Sequence, residues 1–278
     1  MDPCTSVRRV TRKVGVVQMT STADVERNLS TVARCIADAA SDGAELVVLP
    51  ECFAYLGPEA GKLAIAESLP DGGPVLGRMR RLAIKHGVEL VLGGFWEVSP
   101  VEGKVHNTCV HLDAGGQVRA AYRKIHLFDV DLPDGTRLEE SATVEPGSEA
   151  VVTETVFGRL GLSVCYDLRF PELYRELTDL GAIALAIPAA FTLTTGKDHW
   201  HVLLRARAIE AQSYVLAAAQ FGHHFGSRRS YGHALIADPW GVVLAEHGAG
   251  EGAVVARIDP AYVTEVRAGL PSLKHRRR

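Results

Sequence analysis

The chain has 278 residues, 47% of them hydrophobic and 23% charged, and its 30 basic and 33 acidic residues leave a formal net charge of -3. That is enough apolar material for a sizeable core, and so even a balance excludes a protein drawn to nucleic acid or an anionic membrane by its overall charge. The apolar run at residues 182–191 is far shorter than the ~18 residues of a spanning helix and is interrupted by Pro188, and residues 1–13 are basic without an apolar run behind them, so neither a membrane anchor nor a secretory signal is expected.

From the N-terminus, residues 13–19 read as a buried strand. Asp24 is placed to cap a helix in which Val25, Leu29, Val32, Ile36 and Ala40 recur at helical spacing. Residues 46–49 form a second strand, stopped by Pro50. Residues 75–86 form a second amphipathic helix with Leu76, Met79, Leu82 and Ala83 on one face, and residues 88–93 the next strand. Segments 107–112 and 117–122 flank Asp113-Ala114-Gly115-Gly116, a hairpin signal, and 151–156 and 159–164 flank Phe157-Gly158 in the same way. Pro171 opens a helix that Gly181 closes. A strand at 182–187, a helix at 197–212 and a strand at 214–220 follow. Strands at 233–237, 242–245 and 252–258 finish the pattern around a Pro239-Trp240-Gly241 turn. Apolar strands interleaved with helices and hairpins imply an α/β protein of mixed sheets covered by helices; periodicity does not fix the number of layers. With no linker, repeat or shift in composition, residues 1–278 are expected to form one domain, its core about 13–262, with a solvated basic tail at 274–278.

Three reactive side chains occupy equivalent places. Glu51 follows the strand 46–49, Lys124 follows 117–122 and Cys165 follows 160–164. The carboxyl ends of strands are where α/β sites assemble, because loops converge there over rigid supports. Taken singly, each has a plain structural explanation: Cys165 as a small buried hydrophobe, Lys124 as a solvated charge, Glu51 as a helix-start acid. The five cysteines, Cys4, Cys35, Cys52, Cys109 and Cys165, are odd in number, widely spaced and without a Cys-x-x-Cys pair. A disulfide framework or zinc site is therefore not expected, and reduced thiols in a cytoplasmic protein are. His199-x-His201 and His223-His224 lack the carboxylate or Cys spacing that would complete a metal site.

The segments around the three residues carry more. Leu49-Pro50-Glu51-Cys52-Phe53, Tyr122-Arg123-Lys124-Ile125-His126-Leu127-Phe128 and Leu162-Ser163-Val164-Cys165-Tyr166-Asp167-Leu168-Arg169-Phe170-Pro171-Glu172 resemble the three signature blocks of the nitrilase superfamily of carbon–nitrogen hydrolases. Glu139-Glu140-Ser141 resembles the segment where that family places a second glutamate. His199-Trp200, residues 203–210, Tyr231-Gly232-His233 and Asp238-Pro239-Trp240-Gly241 match in kind and order, so that the resemblance covers residues 13–278. It implies a four-layer α-β-β-α sandwich, a homodimer that extends the central sheets across subunits, and catalysis by Glu51, Lys124 and Cys165 with Glu140 in support and no metal or other cofactor. Tyr166-Asp167 stands where true nitrilases typically have Trp-Glu, which points to the amidase branch around deaminated-glutathione amidase and omega-amidase and to a small amide as substrate, with N-carbamoyl amino acids or nitriles as the alternatives.

In the chemistry so implied, Glu51 takes the Cys165 proton, provided burial raises its carboxyl toward working pH. Lys124 and the Tyr166 N–H face the oxyanion, and Glu140 orients Lys124 or the water. Tyr55, Arg169 and Thr195 are candidates to line the pocket. Arg169 suits a substrate carboxylate, or equally a salt bridge to Asp167 or Glu172. A Cys-His protease would need its own histidine motif. A serine hydrolase would need the last Gly that Gly161-Leu162-Ser163-Val164-Cys165 lacks, and a nucleotide enzyme a phosphate loop that no segment supplies. A non-catalytic binding protein on the same fold has no use for an intact Glu51, Lys124 and Cys165.

Overall fold

The computed structural model describes residues 10–131 and 137–277; Cys4, residues 1–9 and the last residue of the basic tail lie outside the described residues. Strand β1 (Arg12–Met19) leads to α1 (Val25–Ser41), whose first turn is capped by Asp24 accepting from the Arg27 N–H at 3.0 Å. There follow β2 (Leu46–Leu49), α2 (Ala60–Ile65), α3 (Pro74–His86), β3 (Glu89–Val98), β4 (Val105–Leu112), β5 (Val118–Arg123), β6 (Asp129–Asp131), β7 (Arg137–Glu139), β8 (Val152–Thr155) and β9 (Gly158–Leu162). The second half contains α4 (Pro171–Asp179), β10 (Ala184–Ala186), α5 (Leu193–Ala211), β11 (Tyr214–Ala217), β12 (Ala219–Phe225), β13 (Arg228–Tyr231), β14 (Leu235–Ala237), β15 (Val243–Glu246), β16 (Gly252–Ile258), α6 (Pro260–Gly269) and α7 (Ser272–His275).

Strands β1 to β5 lie side by side in one mixed sheet; β16 and β12 share the far edge of β1, and β13 follows β12. A second sheet runs β15-β14-β11-β10-β9-β8, and β6 pairs with β7 apart from both. The side-chain alternation of each central strand sorts the core. Val14, Val16, Leu46, Val48, Val91 and Cys109 of the first sheet pack with Leu160, Leu162, Leu185 and Leu216 of the second, and Trp200 and Leu204 of α5 join that same apolar mass. The intervening residues Val17, Met19, Val47, Leu49, Leu90 and Leu92 pack instead with Leu29, Val32, Leu76 and Met79 of α1 and α3. The layers are therefore helix, sheet, sheet, helix, as the resemblance implies.

Two departures from the sequence reading bear on the site. The single strand expected at 214–220 is two: β11 ends at Ala217 in the second sheet, and β12 starts at Ala219 in the first. Ala217, Ala218 and Ala219 are all buried and small enough for the chain to pass between the sheets, and Ala189 bridges to Ala219 at the crossing. Strand β3 continues past residue 93 through Gly93-Gly94, where the register with β4 shifts. The short strands β6, β7 and β13 and helices α2, α6 and α7 carry too few apolar repeats to be read from periodicity.

Candidate active site

Strands β1, β2 and β3 are parallel, and two antiparallel steps through β4 return β5 to the same direction. The carboxyl ends of β2 and β5 thus emerge together, carrying Glu51 and Lys124. In the second sheet β9 and β10 are parallel and bring Cys165 and Ala190 to the same place.

Lys124 Nζ donates to Glu51 Oε1 at 3.0 Å and to Glu140 Oε1 and Oε2 at 3.0 and 2.8 Å. Asn107 Nδ2 donates to Glu51 Oε1 at 3.0 Å and to Glu140 Oε1 at 3.1 Å, tying the two carboxylates together. Glu51 Oε2 accepts from the Ala190 N–H at 2.8 Å and Glu140 Oε2 from the Phe128 N–H at 2.7 Å. Cys165 and Glu51 are close enough that each alters the acidity of the other. Glu51, Lys124 and Cys165 are all buried, yet all line one cavity of about 310 Å³ with Glu140 and Asn107, a size within the usual range for small-molecule sites.

Backbone geometry sets the side chains. Cys165 takes a φ of 48°, a left-handed conformation costly for a non-glycine, and is pinned there by its N–H to the Pro188 carbonyl at 2.9 Å. The following turn Cys165–Arg169 is held by Asp167, which is fully buried. It accepts from the Val164 N–H (2.8 Å), Tyr122 Oη (2.8 Å) and the His126 N–H (3.1 Å), and bonds the His126 ring (2.7 Å). Behind Glu51, a Cβ on Gly94, whose φ is 62°, would fall 2.6 Å from the Cys52 nitrogen and 2.8 Å from Glu51 Cγ; only glycine fits that approach.

The charges follow from these contacts. Burial alone would raise the Glu51 carboxyl, but the Lys124 ammonium and hydrogen bonds from Cys165, Lys124 and the Ala190 N–H hold it below the ordinary carboxylate range. The raised Glu51 expected from burial is not found: desolvation is the largest single influence on the carboxyl, but the Lys124 ammonium and the hydrogen bonds together outweigh it. Burial, then the Glu51 charge, push the Cys165 thiol well above its usual value. Burial works against the Lys124 ammonium, but Glu140 and Glu51 outweigh it and keep the group charged. The resting site is thus carboxylate, ammonium and neutral thiol. Such an arrangement can move a proton from sulfur to carboxylate only as the sulfur finds an electrophile.

Of the other candidates, Tyr166, Arg169 and Thr195 line a second, narrower cleft that also reaches Cys165. Arg169 bonds neither Asp167 nor Glu172; its guanidinium lies over Phe191 at 5.1 Å and contacts His199 Nδ1 at 3.3 Å. Tyr55 is not brought to either wall: its hydroxyl donates to the Pro58 carbonyl, and its ring packs over Gly61. Asn107, the Ala190 N–H and the cavity residues Lys62 and Arg228 escaped the sequence reading. Asn107 left a trace, since an asparagine inside an apolar strand is unusual. His201 and His233 both bond Glu246 Oε1, at 3.0 and 2.6 Å, in a trio whose donor set suits a divalent ion but whose members line neither the cavity nor the cleft.

Against known proteins, the carbon–nitrogen hydrolase family profile matches residues 13–268. The chain is 47% identical over 263 residues to deaminated glutathione amidase of Synechocystis sp. (strain PCC 6803 / GT-S), an alignment spanning 94% of this chain and 96% of that one. It superposes on the crystal structure of the C. elegans NitFhit protein with a TM-score of 0.89 at 42% identity, covering 96% of this chain and 65% of that one. On Saccharomyces cerevisiae Nit3, a member of branch 10 of the nitrilase superfamily, it superposes with a TM-score of 0.85 at 33% identity, covering 96% and 97%.

Proposed function

The chain belongs to the carbon–nitrogen hydrolase family, and from that premise we propose that it cleaves a small carboxylate-bearing amide, deaminated glutathione before others, through a thioester on Cys165. The observation that carries this reading is the buried junction at Glu51, whose carboxylate accepts from the Lys124 ammonium and the Ala190 N–H in the same cavity that the Cys165 thiol lines. A thiol buried only as a small core residue needs no such partners; a cysteine nucleophile with its base and its oxyanion cation needs all three.

In this mechanism sulfur attacks the amide carbon while its proton passes to Glu51, and the carbonyl electrons move onto oxygen. Lys124 meets the developing charge. A cation ~4 Å away is worth ~4 kcal/mol at an effective dielectric of ~20. The Tyr166 N–H, in the first turn after the nucleophile where backbone donors lack helical partners, supplies a second donor. Glu51 returns the proton to the leaving nitrogen, the C–N bond breaks and the thioester remains. Glu51 then takes a proton from water as the hydroxide attacks the thioester carbon, the C–S bond breaks, Glu51 returns that proton to the departing sulfur, and a carboxylic acid leaves. Glu140 holds Lys124 in place, and Tyr166, Arg169 and Thr195 shape the cleft on the other side of the sulfur. The active form is a homodimer of single-domain subunits.

The test is a substrate panel of deaminated glutathione, α-ketoglutaramate, simple amides, N-carbamoyl amino acids and nitriles, read as amine, ammonia and keto-acid release and by mass spectrometry of acid-quenched enzyme. The reading requires deaminated glutathione to give the highest kcat/KM and an acyl adduct that Cys165→Ala loses. A higher value for α-ketoglutaramate would make the enzyme an omega-amidase, and an adduct retained in Cys165→Ala would end the thioester route.

A further inference from the structure

The cavity holds more positive charge than its catalytic floor uses. Lys124 is matched by Glu51 and Glu140. Lys62 pairs with Glu59, whose same oxygen also accepts from Thr143 Oγ1 at 2.6 Å, and its ammonium sits 4.8 Å over the Trp96 ring. Arg228, at the start of β13, lines the same cavity and forms no ion pair with a carboxylate among the described residues, although Glu59 feels its charge. Among the described residues its Nη2 makes only a long contact of 3.4 Å to the Ala190 carbonyl, and its Nη1 is shielded from water with no hydrogen-bond partner.

A guanidinium N–H withdrawn from water and left unpaired is destabilising, and buried polar groups of this kind are almost always satisfied. Here the orphan lies beside the site: Ala190 touches Glu51 through its N–H and Arg228 through its carbonyl. An arginine offers a planar fork matched to a carboxylate, and no described carboxylate occupies it. We propose that Arg228 forms the subsite for a substrate carboxylate, its free Nη1 donating to one carboxylate oxygen and so setting which amides are bound with the carbonyl at Cys165. This rests on the carboxylate-bearing substrate proposed above. Arg169, the arginine singled out by sequence, is the weaker candidate, because its guanidinium is already occupied by Phe191 and His199.

Two substrate pairs test this. In one, the carboxylate on the acyl half of the amide is compared with the matching carboxamide; in the other, the carboxylate on the amine half is. The readout is the ratio of kcat/KM, carboxylate over carboxamide, in wild type, Arg228→Met, Arg228→Lys and Arg169→Met, with thermal melting to establish that each is folded. Wild type should favour the carboxylate in at least one pair by roughly 10- to 100-fold, the worth of a hydrogen bond to a charged group, chiefly through KM. Arg228→Met should bring that ratio close to one, and Arg228→Lys should keep part of it. If Arg228→Met does not fold, Arg228→Lys decides by whether the ratio falls. A wild-type ratio in folded Arg228→Met, or its collapse in Arg169→Met instead, overturns the assignment while leaving the substrate reading intact. No preference in wild type for either pair overturns both.

Discussion

At Lys124, the buried ammonium already answers two carboxylates, so its value to catalysis lies in the charge that appears only in the transition state. Lys124→Ala should therefore lower kcat far more than it raises KM, by roughly a hundredfold to a thousandfold, as for loss of one oxyanion donor. Lys124→Arg should not restore it, because a planar guanidinium cannot occupy the space of an ammonium. Steady-state kinetics with circular dichroism decide; near wild-type kcat in Lys124→Ala would remove the lysine from the mechanism. The charges also fix the pH dependence. Because the Glu51 carboxyl is held down, it stays ionised as pH falls through the ordinary carboxylate range, and the acid limb of kcat/KM should lie below 4.5, the usual glutamate value. The same depressed carboxyl contributes stability above its unfolded value that is lost as pH drops through the folded one. Because the Cys165 thiol is pushed up from 9.0, the ultraviolet difference between native enzyme and Cys165→Ala should show no thiolate band at neutral pH. A thiolate already present at pH 6 would indicate a thiolate–imidazolium pair as in a Cys-His enzyme.

Among the elements, β3 positions the base most directly. Its Gly93-Gly94 bulge admits Pro188 on one side and Glu51 on the other. Gly94→Ala would place a methyl group 2.8 Å from Glu51 Cγ at a φ of 62°. The backbone cost is about 1–2 kcal/mol and the overlap with the Cys52 nitrogen adds about 1–3 kcal/mol, together a fall in melting temperature of about 4–20 °C for a chain of this size. Misplacing a catalytic group by about 1 Å, by contrast, costs about a hundredfold in rate. A folded Gly94→Ala enzyme with wild-type kcat would show that the bulge does not position Glu51. This contrast also marks what the sequence could carry. Glu51, Lys124, Cys165 and Glu140 sit in contiguous words at strand ends, and the structure brings all four together. The groups that finish the site come from far away along the chain: the Ala190 N–H reaches Glu51 across 139 residues, and Asn107 across 56. The crossing between sheets at Ala218 and the orphan on Arg228 likewise depend on which strands pair, which no local periodicity encodes. The direction of the Glu51 shift is hidden from sequence for the same reason, since it takes the lysine 73 residues away and the Ala190 N–H 139 residues away, among other partners, to outweigh burial.

For the whole molecule, the outer face of α5 carries the dimer proposal. Val202 and Ile209 lie one heptad apart on it, and Trp240, Val242 and Leu244 lie on the β14–β15 hairpin beside it; all five are 42–67% exposed. The two elements form one surface, because Arg205 Nε bonds the Gly241 carbonyl at 2.8 Å, Ile209 packs on Gly241, and His201 bonds Glu246. Five large apolar side chains grouped on one face are unusual for a free monomer. Strand β15 is also an edge of the six-stranded sheet, with backbone groups available for pairing. A two-fold axis beside β15 would set this surface on its own copy, the self-complementary contact of a cyclic dimer, and would continue the sheet from one subunit toward the other. A stable interface buries about 1,600 Å² in total, so breaking its centre with like charges should be decisive. In light scattering after gel filtration, wild type should run at twice the 29.9 kDa of the chain, and Val202→Glu combined with Trp240→Glu at that mass, with unchanged circular dichroism because both side chains face outward. A wild-type monomer at micromolar concentration would refute the dimer. A double variant that remains dimeric would move the interface to another face and leave the apolar surface on α5 to be covered by something other than a second copy.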